Sequence, residues 1–287
     1  MYTFILNCII KEYRVLKNEV NGGEKASSST SAVVNIYEYF VHSNVGDVNG
    51  TNAAGNTIIW PRGYPLDLIN DYQMSEVHDV KLDELSQKFE VSVFQSLANG
   101  NPDVDSVYRL TRNNYQDVIF DDDMAIMLHP GMITPFNAQA TTWVRSGFLY
   151  MFLPHTVHGR VSDILRSYVS QPLLWLDQKT IAFTKPYVTV KERNVHELMG
   201  DFEAELPLFL KFPSLIEYIL KRYEEMKDEE TKQEGVQEDK ANKLFSFYID
   251  LYEFGFVELH ELELLRLWIE FFYSLCENND SFCALVD

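Results

Sequence analysis

The most informative part of this chain is the stretch Asn99-Gly100-Asn101-Pro102-Asp103-Val104-Asp105-Ser106-Val107-Tyr108-Arg109-Leu110-Thr111-Arg112. Gly100 favours a positive φ, and Pro102 cannot continue a helix, so a tight turn is expected here. Asp103 and Asp105 should then follow on an extended segment, where alternation points both carboxylates to the same side. The stretch therefore predicts a pair of carboxylates presented by one turn.

Two carboxylates in this arrangement could hold a divalent cation, orient sugar hydroxyls or pair with Arg109, which lies an even number of residues further on. A solvated acidic turn that caps the next element fits the spacing equally well. Upstream, residues 95–99 have the pattern of a helical turn that ends at Gly100. Farther back, residues 33–40 are apolar and aromatic and predict a strand.

The segment Trp60-Pro61-Arg62-Gly63-Tyr64-Pro65 has chemistry of its own. Its prolines fix the backbone, and Gly63 allows close approach of another group. The planar guanidinium of Arg62 lies between aromatic residues that could stack on a sugar or a base. Trp60, Arg62 and Gly63 are therefore candidate substrate-binding residues. The alternative is a rigid loop whose aromatic side chains belong to the core.

Two later segments add polar candidates. Asn137 and Gln139 each carry an amide that donates and accepts hydrogen bonds, as sugar hydroxyls require, although both could instead satisfy buried backbone groups. Ser162 is expected to cap a helix that ends before Pro172, which places Asp163 in the first turn. There Asp163 could act as a general base, and Arg160 could pair with it or with a phosphate.

These segments together resemble the STELLO-type family of probable glycosyltransferases. The chain has NPDVDSVYRLT where the family typically has DPDVDAIYRLT, and its PFNAQ and RVSDILRSY segments are similar to PFNSQNT and RVSDIWRSY. The blocks occur in the same order over roughly residues 34–210. Arg62-Gly63-Tyr64-Pro65 is also remotely similar to a segment of the reversibly glycosylated polypeptides and UDP-arabinopyranose mutases.

The resemblance implies an α/β fold, a partial GT-A-like mixed sheet flanked by helices, with an α-helical C-terminal region. It divides the chain into a divergent N-terminal segment (1–33), a glycosyltransferase-like domain (34–212) and a helical region (213–287). The family's nucleotide-binding half should precede Val33, and no such half is recognisable in this sequence. Residues 121–123 are three aspartates after an apolar segment, but in the family this region is variable, so a solvated loop is favoured there over a metal site.

The function implied by the resemblance is sugar transfer from a nucleoside diphosphate sugar to a glycan or protein acceptor in the Golgi lumen. Asp103, Asp105 and Asp163 are then the candidate catalytic residues, with Arg109 and Arg160 among the substrate-binding ones. No residue is assigned to a metal, although the family resemblance leaves a divalent cation such as Mn²⁺ open as a cofactor. The alternatives are a catalytically inactive binding or scaffold protein and a fragment of a longer enzyme.

Composition limits the other partners. The chain has 287 residues, of which 46% are apolar, and 43 acidic residues against 24 basic ones give a net charge of −19. General affinity for nucleic acids or anionic lipids is therefore not expected. No apolar run reaches the length that spans a bilayer and no signal peptide is recognisable, which makes a cytoplasmic location the alternative to the Golgi.

The C-terminal region, residues 213–287, is predicted to be helical. A capping box at Ser214 starts one amphipathic helix, and two aromatic-rich helices follow, separated at Gly255. These helices are expected to cover the core or to dock a protein partner. Cys276 and Cys283 could pair, but their disulfide state is open at this point.

A further segment, residues 147–153, is apolar and predicts a buried strand.

Overall fold

The fold is that of a computed structural model, which describes residues 13–16, 33–40, 58–69, 77–80, 89–111, 118–120, 125–191, 197–232, 239–278 and 283. It is an α/β fold with one six-stranded mixed sheet in the order β2-β1-β4-β6-β3-β5. The strands are β1 (Tyr13–Leu16), β2 (Val77–Val80), β3 (Glu90–Gly100), β4 (Ala125–Leu128), β5 (Thr141–Trp143) and β6 (Lys179–Val190). The predicted fold class is confirmed.

The two longest strands form the centre of the sheet. β3 pairs in parallel with β6, from Glu90 opposite Lys179 to Gly100 opposite Val190. Pro186 lies in the part of β6 that is skipped where the register shifts, as expected for a residue without an N–H to donate. The middle of β3 is buried, as an interior strand should be. The helical turn predicted for residues 95–99 is therefore wrong, because strand pairing on both sides overrides the local turn signals.

Seven helices are found in the described part of the chain. They are α1 (Tyr37–Phe40), α2 (Ser106–Thr111), α3 (Gly159–Leu176), α4 (Leu198–Leu210), α5 (Phe212–Lys232), α6 (Lys240–Glu253) and α7 (Leu259–Asn278). Two 3-10 segments, Leu66–Leu68 and Arg145–Met151, complete the helical elements there. The α6 and α7 helices lie on either side of Gly255, which confirms that prediction. None of the described helices combines the length and the apolar composition needed to cross a membrane.

Several local predictions are corrected. The segment after Gly100 is extended only to Asp105, because α2 begins at Ser106, so Arg109 does not lie on a strand with the two aspartates. Residues 33–40 form a bridge at Val33 and then the short helix α1 rather than a strand. Residues 147–153 contain most of a 3-10 helix, also not a strand.

Two helix boundaries also differ from those predicted. The α3 helix begins at Gly159 after a His158 cap, so Asp163 lies past the first turn, and Pro172 is inside the helix. The missing N–H of Pro172 costs one backbone hydrogen bond, but burial of most of the helix compensates for it. The α5 helix begins at Phe212, which places Ser214 inside it rather than at a capping box.

The hydrophobic core is continuous across the predicted domain boundary. Its buried side chains come from the sheet and α3 and also from α5, α6 and α7, including Ile219, Phe247 and Leu265. The C-terminal helices thus cover the core, as expected. Cys276 and Cys283 form a disulfide at the end of α7. The division at residues 33 and 212 stays a prediction, and residues 121–123 lie outside the described part of the chain.

Candidate functional site

Four segments that are far apart in the sequence meet at the side chain of Arg62. They are the loop that carries Trp60–Gly63, the turn after β3, the 137–139 loop before β5 and the first two turns of α3. Arg62 is only 6% exposed. Its backbone N–H donates to the carbonyl of Asp103 at 3.0 Å, which fixes the loop against the turn. Arg62, Asp103 and Asp163, predicted from three separate motifs, are therefore brought together.

The guanidinium of Arg62 lies between two carboxylates. Its Nε and Nη2 atoms donate to Asp103, at 3.1 Å to Oδ1 and 2.8 Å to Oδ2. Its Nη1 and Nη2 atoms donate to Asp163, at 3.1 Å to Oδ1 and 3.0 Å to Oδ2. Nη1 also donates to the carbonyl of Arg160. All five N–H groups of the guanidinium thus have acceptors.

The two carboxylates stabilise the charged form of the Arg62 guanidinium. Burial by itself would lower the pKa of Arg62, but the charges and hydrogen bonds of Asp103 and Asp163 outweigh burial and raise it. Two further donors complete the shell: Asn137 Nδ2 donates to Asp103 Oδ2 at 2.9 Å, and the Ala138 N–H donates to Asp163 Oδ2 at 3.0 Å. The pair of carboxylates is therefore neutralised in part by a cation that belongs to the fold.

The site does not fit a divalent cation between Asp103 and Asp163, because the guanidinium of Arg62 occupies the position between the carboxylate oxygens. Across the described residues, no group of three or more His, Cys, Asp or Glu side chains is placed to hold a metal ion. Asp103 and Asp163 accept hydrogen bonds from Arg62 instead.

Asp105 is fully buried and faces a different set of partners. Its Oδ2 accepts from Trp60 Nε1 at 2.6 Å, and its Oδ1 accepts from the Tyr108 N–H at 2.7 Å. The second bond caps the first turn of α2. Burial raises the pKa of Asp105 to about 6, although these two hydrogen bonds and Arg109 act in the opposite direction. Nearby Glu205 raises this pKa further.

Arg109 reaches back along the chain from α2. It donates to Asn101 Oδ1 at 2.6 Å and to the Pro102 carbonyl at 3.0 Å. Both acceptors belong to the turn that carries Asp103, so Arg109 stabilises that turn. The charge of Arg109 also lowers the pKa of Asp105, against the effect of burial.

Arg160 pairs with α4 rather than with Asp163. Its Nε donates to Glu205 Oε1 at 2.6 Å, and its Nη1 lies 3.4 Å from Asp201 Oδ1. Glu205 is fully buried, and its Oε2 accepts from the Ser106 N–H at 2.7 Å. Glu205 thus joins the start of α2 to the start of α3.

Glu205 was missed in the sequence analysis, although a signal for it exists. Phe202, Glu205, Leu208 and Phe209 recur at helical spacing, which puts a carboxylate on the apolar face of α4. A charged residue on such a face indicates a buried partner.

Gly63 allows the loop that carries it to lie close to α3. Its φ is +89°, and a Cβ atom there would lie 2.4 Å from Cγ2 of Ile164 in α3. The Gly63 carbonyl accepts from the hydroxyl of Tyr168 at 2.9 Å. The loop that carries Trp60 and Arg62 is therefore seated directly on α3, and no larger residue fits this contact.

A pocket opens beside Arg62. It encloses about 370 Å³ of empty space, open solvent included, and four predicted residues line it: Arg62, Asp103, Asn137 and Gln139. Gln95 and Ser96 of β3, which the sequence analysis assigned to a helical turn, line it too. Trp60, Gly63, Asp105, Arg109, Arg160 and Asp163 are not part of this lining.

The amides of the pocket are held in place by hydrogen bonds. Gln95 Nε2 donates to the Gln139 carbonyl at 2.8 Å, and its Oε1 accepts from Thr141 Oγ1 at 2.6 Å. Asn137 Oδ1 accepts from the Gln139 N–H at 2.8 Å. Fixed amides next to a carboxylate are suited to neutral, hydroxyl-rich ligands, because each hydroxyl both donates and accepts.

Comparison with known proteins was made by family profile and by sequence. No family profile matches the chain. The protein named Probable glycosyltransferase STELLO2 from Arabidopsis thaliana is 35% identical over 172 residues, which cover 58% of this chain and 21% of that protein. Probable glycosyltransferase STELLO1 from the same plant is 31% identical over 162 residues, 51% of this chain and 20% of that protein. The resemblance to the STELLO type is confirmed, and the chain spans about a fifth of these relatives.

Proposed function

We propose that this chain is a glycosyltransferase-like protein of the STELLO type that acts on a nucleoside diphosphate sugar and a glycan or protein acceptor in the Golgi. In this proposal the pocket beside Arg62 binds a sugar ring. The relatives that match the chain are named as probable glycosyltransferases, which supports the class of reaction. The Golgi location rests on the resemblance alone.

The observation that carries the proposal is the composition of the pocket. Side-chain amides from Gln95, Asn137 and Gln139 line it together with the carboxylate of Asp103. Each of these amides both donates and accepts hydrogen bonds, as the hydroxyl groups of a sugar residue require. Asp103 is held by Arg62 and Asn137 and would accept a hydrogen bond from a sugar hydroxyl.

Binding is tested by isothermal titration of the 287-residue chain with UDP-sugars and with neutral mono- and disaccharides. Gln139→Ala removes a pocket amide and should weaken sugar binding about three- to tenfold, the size of one neutral hydrogen bond. Glu203→Ala, on the exposed face of α4, is the matched control and should bind as the unmodified chain does. Equal affinity of the two variants for every sugar would refute the site.

A second function, a non-catalytic carbohydrate-binding or scaffold role, is favoured by the way the candidate catalytic carboxylates are used. Asp103 and Asp163 are bound to Arg62, and Asp105 is buried against Trp60. A general base needs an accessible oxygen within reach of the acceptor hydroxyl. Measuring transfer or hydrolysis of a bound UDP-sugar separates the two functions: binding without turnover supports the scaffold, and turnover supports the enzyme.

A further inference from the structure

The α7 helix carries an apolar stripe on the face that it turns to solvent. The stripe consists of four residues that recur at intervals of three and four along one side of the helix: Leu264, Leu267, Phe271 and Leu275. Leu267 is 54% exposed and Phe271 is 52% exposed. The opposite side of α7 packs into the core, where Leu265 is fully buried. The stripe is therefore a second apolar face on a helix that already packs through its first, and such faces mark interaction sites.

Acidic side chains line one edge of this α7 stripe. Glu263, Glu270 and Glu277 recur every seven residues, about two helical turns, and so follow one another beside the apolar residues. The side chains of Glu263 and Glu270 are 69% and 53% exposed. Glu263 lies 3.1 Å from Nδ1 of His260, and Glu270 pairs with Arg266, the one lysine or arginine of α7. Three glutamates against one arginine leave this edge negative.

A segment held by hydrogen bonds lies along the other edge. Trp268 Nε1 donates to the Leu149 carbonyl at 2.8 Å, and the Glu261 carboxylate accepts from the His155 N–H at 2.9 Å. Helical spacing places Trp268 and Glu261 beside the stripe, on the side away from the acidic edge. The chain between Leu149 and His155 therefore runs along α7, and its Leu153 is 37% exposed. The stripe lies between a fixed segment and a row of carboxylates.

Charge distinguishes between three occupants of the stripe. A second copy of the chain would bring its own acidic edge and a net charge of −19, so the two copies repel each other. An anionic membrane surface is repelled for the same reason. A helix of another protein that has lysine or arginine beside its own apolar stripe matches both the exposed apolar residues and the acidic edge.

We propose that the α7 stripe is the docking site for a basic amphipathic helix of a partner protein. Apolar side chains of that helix pack against Leu267 and Phe271, and its lysines or arginines lie next to Glu263 and Glu270. The described residues that line the pocket beside Arg62 all lie outside α7. Docking is therefore a property separate from sugar binding, and each can fail without the other.

Fluorescence anisotropy of the 287-residue chain with a labelled peptide of leucine and lysine tests the docking site. The peptide forms an amphipathic helix of about four turns, roughly 14 residues. The same peptide with glutamate in place of lysine is its control. The lysine peptide should bind at least about tenfold more tightly than the glutamate peptide, and added salt should weaken its binding.

Variants of the stripe and of its acidic edge identify where the peptide binds. Phe271→Ser should raise the Kd of the lysine peptide about ten- to a hundredfold, because it removes the largest side chain of the stripe. Met199→Ser changes a 67% exposed apolar residue of α4 and, as the matched control, should leave this Kd unchanged. Glu270→Lys should raise the Kd about three- to tenfold at low salt, whereas Glu203→Lys, on the exposed face of α4, should not.

The proposal is overturned if the two peptides bind equally well, or if Phe271→Ser binds the lysine peptide as tightly as the unmodified chain. A dimer in sedimentation equilibrium that Phe271→Ser abolishes would assign the stripe to a second copy instead. Binding to vesicles of phosphatidylserine and phosphatidylcholine that Phe271→Ser abolishes would assign it to a membrane. A large loss of stability in Phe271→Ser without peptide would also overturn the proposal, because the stripe would then be packed within the chain itself.

Discussion

Arg62 and Arg166 are both buried arginines in contact with the α3 region, but they have opposite surroundings. All five N–H groups of Arg62 meet acceptors, and two carboxylates raise its pKa. Arg166 has one long hydrogen bond and an aromatic ring, and burial lowers its pKa. The comparison teaches that burial has different outcomes for two arginines: a complete set of acceptors offsets the desolvation cost of Arg62, whereas the cost of Arg166 is offset only in part.

Arg62→Met should have the largest effect on stability. The substitution leaves the buried Asp103 and the half-buried Asp163 next to each other without their cation, and we expect it to cost about 3–5 kcal/mol in free energy of unfolding. Arg166→Met should change the free energy of unfolding by less than about 1 kcal/mol or raise it, because no carboxylate of the described residues loses a bonded partner. Urea denaturation of both variants measures the difference. Equal losses would remove the distinction between the two arginines.

Gly63→Ala should have the second-largest effect on stability. It should lower the free energy of unfolding by about 2–4 kcal/mol, because the added Cβ meets Ile164 and the backbone is strained at positive φ. Gly255→Ala is the matched control: its φ is +69°, and a Cβ there meets nothing within 4 Å. It should cost only the strain, about 1–2 kcal/mol. If the two variants unfold at the same urea concentration, the seating of the Arg62 loop on α3 contributes little.

Asp105 should give the chain a pH dependence that Arg62 and Arg166 do not. Its folded-state pKa of about 6 lies above the model-peptide value of 3.8, so the folded state binds more protons between these pH values. This group therefore stabilises the fold at low pH, and its contribution is lost as pH rises through about 6. Between pH 4 and pH 7, the free energy of unfolding of the unmodified chain should fall by about 1–3 kcal/mol more than that of Asp105→Asn. Parallel stability curves for the two proteins over this range would contradict the assignment.

Trp143→Phe should have the smallest effect on stability. It should lower the free energy of unfolding by about 0.5 kcal/mol, because the smaller ring attracts the guanidinium of Arg166 less strongly. In the Arg166→Met background, Trp143→Phe should cost less free energy of unfolding, because no guanidinium remains for the ring to attract. A double-mutant cycle built from thermal and urea unfolding isolates the pair energy. A pair energy of zero would mean that the ring does not hold Arg166 in place.

The sequence located most of the residues around Arg62 but not their pairing. Asn137, which donates to Asp103, and the two aspartates were chosen from separate motifs, and the structure brings Asp103 and Asp163 to one guanidinium. Their common partner could not be predicted, since Arg62 lies 41 residues from Asp103 and 101 from Asp163 in the chain. Local spacing carries no information about contacts at that separation.

The errors have a shared physical origin. Gly100 and Pro102 are strong turn signals, and they were taken to end a helix when they end the central strand β3. Two neighbouring strands pair with β3, and their hydrogen bonds outweigh the weak local preference of residues 95–99. The same error left Gln95 and Ser96 out of the predicted site, although both lie on β3 and line the pocket.

By itself the sequence determined an acidic chain with a helical C-terminal region and an ordered set of polar motifs, because composition and hydrophobic periodicity act locally. The family resemblance carried by those motifs implied the α/β fold. Only the tertiary structure decided which charges are satisfied. Arg62 and Arg166 are the same residue type in similarly apolar contexts, and their difference depends on which distant loops fold against each guanidinium. Desolvation acts on every buried charge, whereas compensation depends on atoms that the chain brings together in three dimensions.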